Sequence, residues 1–201
     1  MSRVKICGLT RREDIEAVNS ALPDYIGFVF APSRRRISAS AAAALREHLD
    51  PGIRAAGVFV NEDIGAVCEI YNEGTADLIQ LHGDEDDEYI LRLKEACGCP
   101  VIKAVGAGTA LPALPVCPDY LLFDTVSQQR GGTGITFDWR LLKDYSGIPY
   151  FLAGGLSAEN AADAVQMLSP FCVDVSSGAE TDGFKDPEKI IEFVRAVRRI
   201  Q

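Results

Sequence analysis

Short, nearly continuous apolar runs recur eight times along this chain, at residues 3–7, 25–30, 55–60, 78–81, 101–104, 120–123, 150–152 and 172–175. Runs of this length without period-2 alternation are the mark of parallel strands covered on both faces. Between them lie segments with helix-start residues and apolar positions at helical spacing. Thr10 precedes 11–21, Ser38 precedes 39–49, Asn61 precedes 62–71, Asp84 precedes 85–97 and Ser157 precedes 158–168, each offering a side-chain oxygen to unpaired backbone N–H groups. The last helix opens on Asp186-Pro187-Glu188 and carries Arg195, Arg198 and Arg199 near its end, in agreement with the helix dipole. Residues 106–118 hold three prolines and two glycines, so the fifth crossover is expected to be a short helix or an irregular loop.

Eight such units in 201 residues leave about 25 residues each, near the lower limit for a closed (β/α)8 barrel. An open doubly wound sheet usually has fewer strands and a Gly-x-Gly-x-x-Gly after the first one, which is absent. The expected architecture is therefore α/β: one small TIM-type (β/α)8 barrel over 1–201. With 47% hydrophobic residues the chain can fill its own core.

Composition removes several classes of function. No apolar run approaches the length of a membrane span and no basic segment leads into an apolar one, so neither a membrane nor secretion is expected. A net charge of −9 with one basic run, Arg34-Arg35-Arg36, argues against nucleic acid as a partner. Six scattered cysteines without metal-ligand spacing read as reduced thiols in a cytoplasm, with no metal expected. The partner left is a small molecule, and the chain is expected to be a monomer or homodimer.

In a barrel, ligands meet the C-terminal ends of the strands and the loops that follow. Those positions hold Cys7, then Arg34-Arg35-Arg36, Gln80 and His82, Asp124, Gly131-Gly132-Thr133-Gly134, Gly154-Gly155, and Asp174 with Ser176-Ser177-Gly178. Gly132, Thr133, Gly134, Gly154, Gly155, Ser177 and Gly178 could present backbone N–H groups to a phosphate without obstruction. Those after strands seven and eight occupy the usual phosphate corner of such barrels. Asp124 ends the apolar run 121–123, where partial desolvation suits a general acid. Cys7, taken alone, is either a small buried hydrophobe or a reactive thiol. Asp174 could bind a hydroxyl or fix its neighbouring loop.

Several stretches together resemble one family. They are Lys5-Ile6-Cys7-Gly8-Leu9-Thr10, Gly27-Phe28-Val29-Phe30, Ser33-Arg34-Arg35-Arg36-Ile37, Gly57-Val58-Phe59-Val60-Asn61, Leu81-His82-Gly83 and Val173-Asp174-Val175-Ser176-Ser177-Gly178-Ala179-Glu180. The chain resembles the phosphoribosylanthranilate isomerases of tryptophan biosynthesis from about residue 3 to its end. The resemblance implies an Amadori rearrangement of N-(5′-phosphoribosyl)anthranilate without metal or organic cofactor. Asp124 then matches the general acid, Cys7 the general base, and Arg35 the residue that holds the anthranilate carboxylate. Arginine at all three of positions 34–36 departs from the family's Ser-x-Arg-x-aliphatic pattern and leaves Arg36 as an alternative to Arg35. Gln80 and His82 resemble site-lining positions, although a structural role for His82 stays open. Asp174 matches an acid that binds a ribose hydroxyl. The histidine-pathway isomerase performing the same rearrangement is the nearest rival, but it resembles a duplicated half-barrel with aspartate at the end of strand one.

Overall fold

The computed structural model describes residues 1–125 and 137–200. Eight parallel strands close into a barrel in chain order: β1 (Arg3–Cys7), β2 (Tyr25–Val29), β3 (Arg54–Phe59), β4 (Leu78–Leu81), β5 (Val101–Ala107), β6 (Tyr120–Thr125), β7 (Tyr150–Leu152) and β8 (Cys172–Val175). β8 pairs back onto β1 through Arg3 opposite Cys172 and Lys5 opposite Asp174. Closure leaves this sheet without an edge strand.

Alternation along each strand divides the side chains between two cores. Val4 and Ile6 of β1 join Ile15, Val18, Phe193 and Val194 between the sheet and its helices. Tyr25, Leu78, Ile102, Leu122, Phe151 and Cys172 come from six different strands and fill the barrel interior. Two residues further along β4, β6 and β8 stand Gln80, Asp124 and Asp174. The interior therefore changes from an apolar floor to a polar layer within one step of the pleat, which is 2 × 3.3 Å, or about 7 Å, of strand.

The helices are α1 (Arg12–Ala21), α2 (Ala39–Arg46), α3 (Ile64–Asn72), α4 (Asp87–Cys97), α5 (Ala161–Leu168) and α6 (Pro187–Arg198). Ser38 and Asp186 cap α2 and α6 as expected, accepting from Ala41 and from Glu188 and Lys189. The other starts lie further along the chain. Thr10 does not cap α1; Asp14, inside the first turn, reaches back to accept from the Thr10 and Arg11 N–H groups. Asn61 stands in the left-handed region at φ 51°, and α3 begins instead at Asp63, which accepts from Gly65 and Ala66. Asp84 yields to Asp86, whose side chain accepts from Tyr89. Ser157 precedes a turn, and α5 starts after Asn160, whose Oδ1 accepts from the Ser157 N–H and makes no bond to the helix.

The fifth crossover carries no helix among its residues, in keeping with its prolines. Among the described residues the sixth has only a 3₁₀ turn at Trp139–Leu142. A small hairpin, β9 (Glu180–Thr181) with β10 (Phe184–Lys185), stands between β8 and α6; it was not expected. Among the described residues no helix is long and apolar enough to cross a membrane.

The register places Cys7 beside Gly27. A Cβ on Gly27 would lie 2.6 Å from Cys7 Sγ and 3.2 Å from its Cα, so the bare backbone makes room for the thiol. Gly27→Ala should cost roughly 1–3 kcal/mol of stability through overpacking, and it should lower the rate of Cys7 alkylation in the folded state. Urea unfolding and thiol-labelling kinetics check both, and an unchanged stability would show that the neighbouring strands yield easily.

Candidate active site

A cavity of about 330 Å³ opens at the C-terminal mouth of the barrel. Every strand but β5 reaches it directly or through the residues just beyond its end. Cys7, Arg35, Gln80, His82, Asp124, Gly154, Gly155, Asp174, Ser176 and Ser177 supply its polar lining, while Val29, Val58, Val60, Ala153 and Leu156 form apolar wall. Of the expected site residues among the described ones, all but Gly178 thus meet in one space. Arg36 is exposed and absent from the lining, whereas Arg35 belongs to it. Gly178 sits behind the rim, where a Cβ would come within 2.0 Å of the Leu156 carbonyl oxygen. Gly132, Thr133 and Gly134 lie outside the described residues.

At the base of the cavity Lys5 is wholly buried. Its Nζ donates to Asp174 Oδ2 and to Gln80 Oε1, each at 2.8 Å. Burial is the largest single influence and works against the lysine's charge, but Asp174 together with Cys7 and Cys172 outweighs it and keeps Lys5 protonated beyond its ordinary range. For Asp174 the balance reverses. Burial, with Oδ1 left without a hydrogen-bond partner, outweighs Lys5 and pushes the carboxyl above its usual range. We take the charged pair as the resting form, because a 2.8 Å ammonium–carboxylate contact is a charge-assisted hydrogen bond.

Cys7 is buried above this pair. Burial pushes its thiol up, Lys5 pulls it down, Asp174 pushes it up again and Lys185 pulls it down. The net direction is upward, so the resting form is the thiol, with two ammonium groups close enough to stabilise a thiolate.

Across β8 and β7 from Cys7 stands Asp124. Its Oδ1 accepts from the Thr125 N–H at 2.7 Å and its Oδ2 lies 3.5 Å from His82 Nε2. Gly154 sustains this arrangement: at φ 83° its missing Cβ would meet Thr125 Oγ1 at 2.4 Å and Asp124 Oδ1 at 3.0 Å. A side chain there would strike the carboxylate.

On the β2 side of the rim Arg35 forms a fork on Glu180, Nε to Oε1 at 2.6 Å and Nη2 to Oε2 at 2.9 Å. Arg34 and Lys185 also donate to Glu180, each at 2.6 Å. Lys185 donates further to the Ser176 carbonyl, and Ser176 Oγ to the Cys7 carbonyl. Three cations around one carboxylate leave the rim locally positive on a chain of net charge −9. Arg35 Nη1 has no hydrogen-bond partner among the described residues and remains available to an incoming anion.

Sequence reasoning gave no role to Glu180, although it ends the stretch 173–180, and missed Lys185 altogether; both reach the site through the unexpected hairpin. It quoted Lys5 only within the stretch 5–10. A lysine set between Val4 and Ile6, two residues before Cys7 and so on the same face of the strand, was the available sign that it points inward.

A closed eight-stranded barrel with a thiol, a carboxyl group and an arginine converging on one cavity at its C-terminal mouth defines a (β/α)8-barrel enzyme. The family model of N-(5′-phosphoribosyl)anthranilate isomerase matches residues 4–196. A curated relative from Endomicrobium trichonymphae bearing that name is 49% identical over the full length of both chains. A crystal structure of phosphoribosyl anthranilate isomerase from Thermotoga maritima superposes with a TM-score of 0.87 at 35% identity, covering 99% of this chain and all of that one. A second structure, of the same isomerase in complex with reduced 1-(o-carboxyphenylamino)-1-deoxyribulose 5-phosphate, matches with a TM-score of 0.83 at 33% identity, over 99% and 100% of the two chains. The chain belongs to the phosphoribosylanthranilate isomerase family, and it is an isomerase of tryptophan biosynthesis.

The Glu180 cluster has a consequence for stability. Burial raises the Glu180 carboxyl, but its hydrogen bonds to Arg35 and Lys185 win and hold it below the usual range. A carboxyl lowered on folding stabilises the protein above its unfolded value of about 4.5 and loses that contribution as pH falls through the folded value. Glu180→Gln should therefore be clearly less stable than wild type in urea at pH 7, with the gap closing as the pH is taken below 4.5. A gap independent of pH would assign the loss to packing.

Proposed function

We propose that the chain converts N-(5′-phosphoribosyl)anthranilate to 1-(2-carboxyphenylamino)-1-deoxyribulose 5-phosphate, with Asp124 as general acid and Cys7 as general base. The observation that carries this is the shared cavity: Cys7 from β1 and Asp124 from β6 line one space, separated by two strands, so that acid and base can work on different atoms of one small substrate.

The acid step comes first. Asp124 gives its proton to the furanose ring oxygen, the C1′–O bond breaks, and the anthranilate nitrogen supplies electrons to form a protonated Schiff base. Cys7 as thiolate then takes the proton from C2′, and the C–H electrons move toward the iminium carbon to give an enolamine. Tautomerisation yields the ketone. The thiol must lose its proton before this step, and Lys5 and Lys185 supply the stabilising charge.

The remaining groups hold the substrate. Arg35 faces the cavity with a guanidinium edge suited to the anthranilate carboxylate. The Asp174 oxygen without a protein partner is placed to accept from a ribose hydroxyl, with Gln80 and His82 lining the same wall. Gly154 and Gly155 after β7 and Ser177 and Gly178 after β8 are assigned to the phosphate, together with Gly132, Thr133 and Gly134 on their sequence. Backbone amides let an acidic chain hold a dianion, since their field is local. The relative bound to a reduced product analogue supports this choice of substrate. No cofactor enters the scheme, and the six free thiols fit a reducing cytoplasm.

Loss of phosphoribosylanthranilate fluorescence follows the reaction directly. Cys7→Ser and Asp124→Asn should each lower kcat by about 10²–10⁴-fold, the usual contribution of a general acid or base, with KM near the wild-type value. Full turnover in either variant would refute that residue's role. Arg35→Ala should raise KM for the anthranilate-bearing substrate while inorganic phosphate competes as strongly as before; equal weakening of both would move Arg35 to the phosphate.

A further inference from the structure

One line of polar groups crosses the barrel from Asp174 to Asp124, and the direction of its hydrogen bonds is fixed from one end. Lys5 Nζ can only donate. Its 2.8 Å contact with Gln80 must therefore be to the amide oxygen, which settles the orientation of an amide whose oxygen and nitrogen look alike. The Gln80 NH₂ group then faces His82 Nδ1 at 3.0 Å. An amide nitrogen donates, so Nδ1 accepts, and a doubly protonated ring would set one donor against another at that distance. The ring proton is left on Nε2, which stands 3.5 Å from Asp124 Oδ2.

We propose that Lys5 and Gln80 are positioning residues that hold His82 as its Nε2–H tautomer, aiming a donor at the carboxylate that Asp124 becomes when its proton leaves. This rests on Asp124 being the acid, as argued above. Asp124 Oδ1 is already satisfied by the Thr125 N–H, so Oδ2 is the oxygen on which charge develops. A donor 3.5 Å from a neutral carboxyl interacts weakly and tightens when that oxygen becomes anionic. Interactions that strengthen in the transition state are those that raise kcat. Gln80 is 2% exposed and Lys5 is fully buried, so water does not compete for the link between them. The same ammonium lies beside Cys7. One buried cation thus biases the thiol toward thiolate on one side and orients the proton of His82 on the other.

The chain has two histidines, His48 and His82, and His48 is exposed on the outside of the barrel. Nitrogen NMR of protein labelled with [15N]histidine, with His48→Gln to assign the signals, reads the tautomer directly. Wild type should show Nδ1 as the bare nitrogen and Nε2 as the protonated one. Gln80→Glu keeps an acceptor for Lys5 but turns an acceptor toward Nδ1, so the proton should move there and kcat should fall at least about 10-fold, by more than KM changes. An Nδ1–H ring in wild type, a spectrum indifferent to Gln80→Glu, or a shifted tautomer with unaltered kcat would each overturn the proposal. Should Gln80→Glu fail to fold, the wild-type spectrum still decides the tautomer. Full turnover in Asp124→Asn would instead sink the assignment of the acid while leaving the tautomer result standing.

Discussion

The arrangement of the site depends on one buried charge, the ammonium of Lys5. An ion pair in a barrel interior is costly to desolvate, and removing one partner leaves an uncompensated charge worth about 3–5 kcal/mol. Lys5 must therefore keep both Asp174 and Gln80 within hydrogen-bond distance, which ties β1 to β8 and to β4 across the lumen. Tyr25, Leu78, Ile102, Leu122, Phe151 and Cys172 seal the space around and below this layer. With water kept out beneath it, the cation acts on Cys7 and Asp174 at a lower effective dielectric than a surface lysine would.

A second cluster applies the same logic at the rim. Glu180 collects Arg34, Arg35 and Lys185, and Lys185 in turn fastens Ser176, whose hydroxyl holds the Cys7 carbonyl. Arg35 is thereby fixed along one edge of its guanidinium and available along the other. An arginine already held in place gives up less conformational freedom when it takes a ligand than a free one does. The cluster also explains three adjacent arginines. One lines the cavity, one tightens the carboxylate that aligns it, and Arg36 stays outside, where its backbone continues the edge of β2 by bridging to Val29.

The strands were the most legible part of the sequence, because parallel strands packed on both faces are largely apolar, and runs such as 120–123 and 150–152 show no period-2 alternation. Helix starts were less so, and Glu85 shows why. Its carboxylate accepts from the Asn61 and Gly83 N–H groups and from Lys103. That network spans β3, β4 and β5 and holds residues 83–85 in a loop, so α4 waits for Asp86. The same bonds keep Asn61 in the loop and leave Asp63 to cap α3. Local capping signals could not reveal a competing partner 24 residues away. The hairpin at 180–185 was hidden for another reason: two-residue strands have no periodicity to detect.

The candidate site divides along the same line between local and long-range information. Cys7, Asp124 and the rim glycines could be named from position alone, since the end of a barrel strand is a functional address whatever else the chain does. What position could not show is protonation. Whether a strand-end thiol is poised, or which nitrogen of His82 carries the proton, depends on groups 75 and 169 residues from Lys5, brought together only when the barrel closes. In the proposed assignment the phosphate and carboxylate contacts gather on the loops, and control of the proton gathers one layer below. Loop changes should therefore alter what this barrel accepts, and changes to the Lys5 layer should alter what it can do to it.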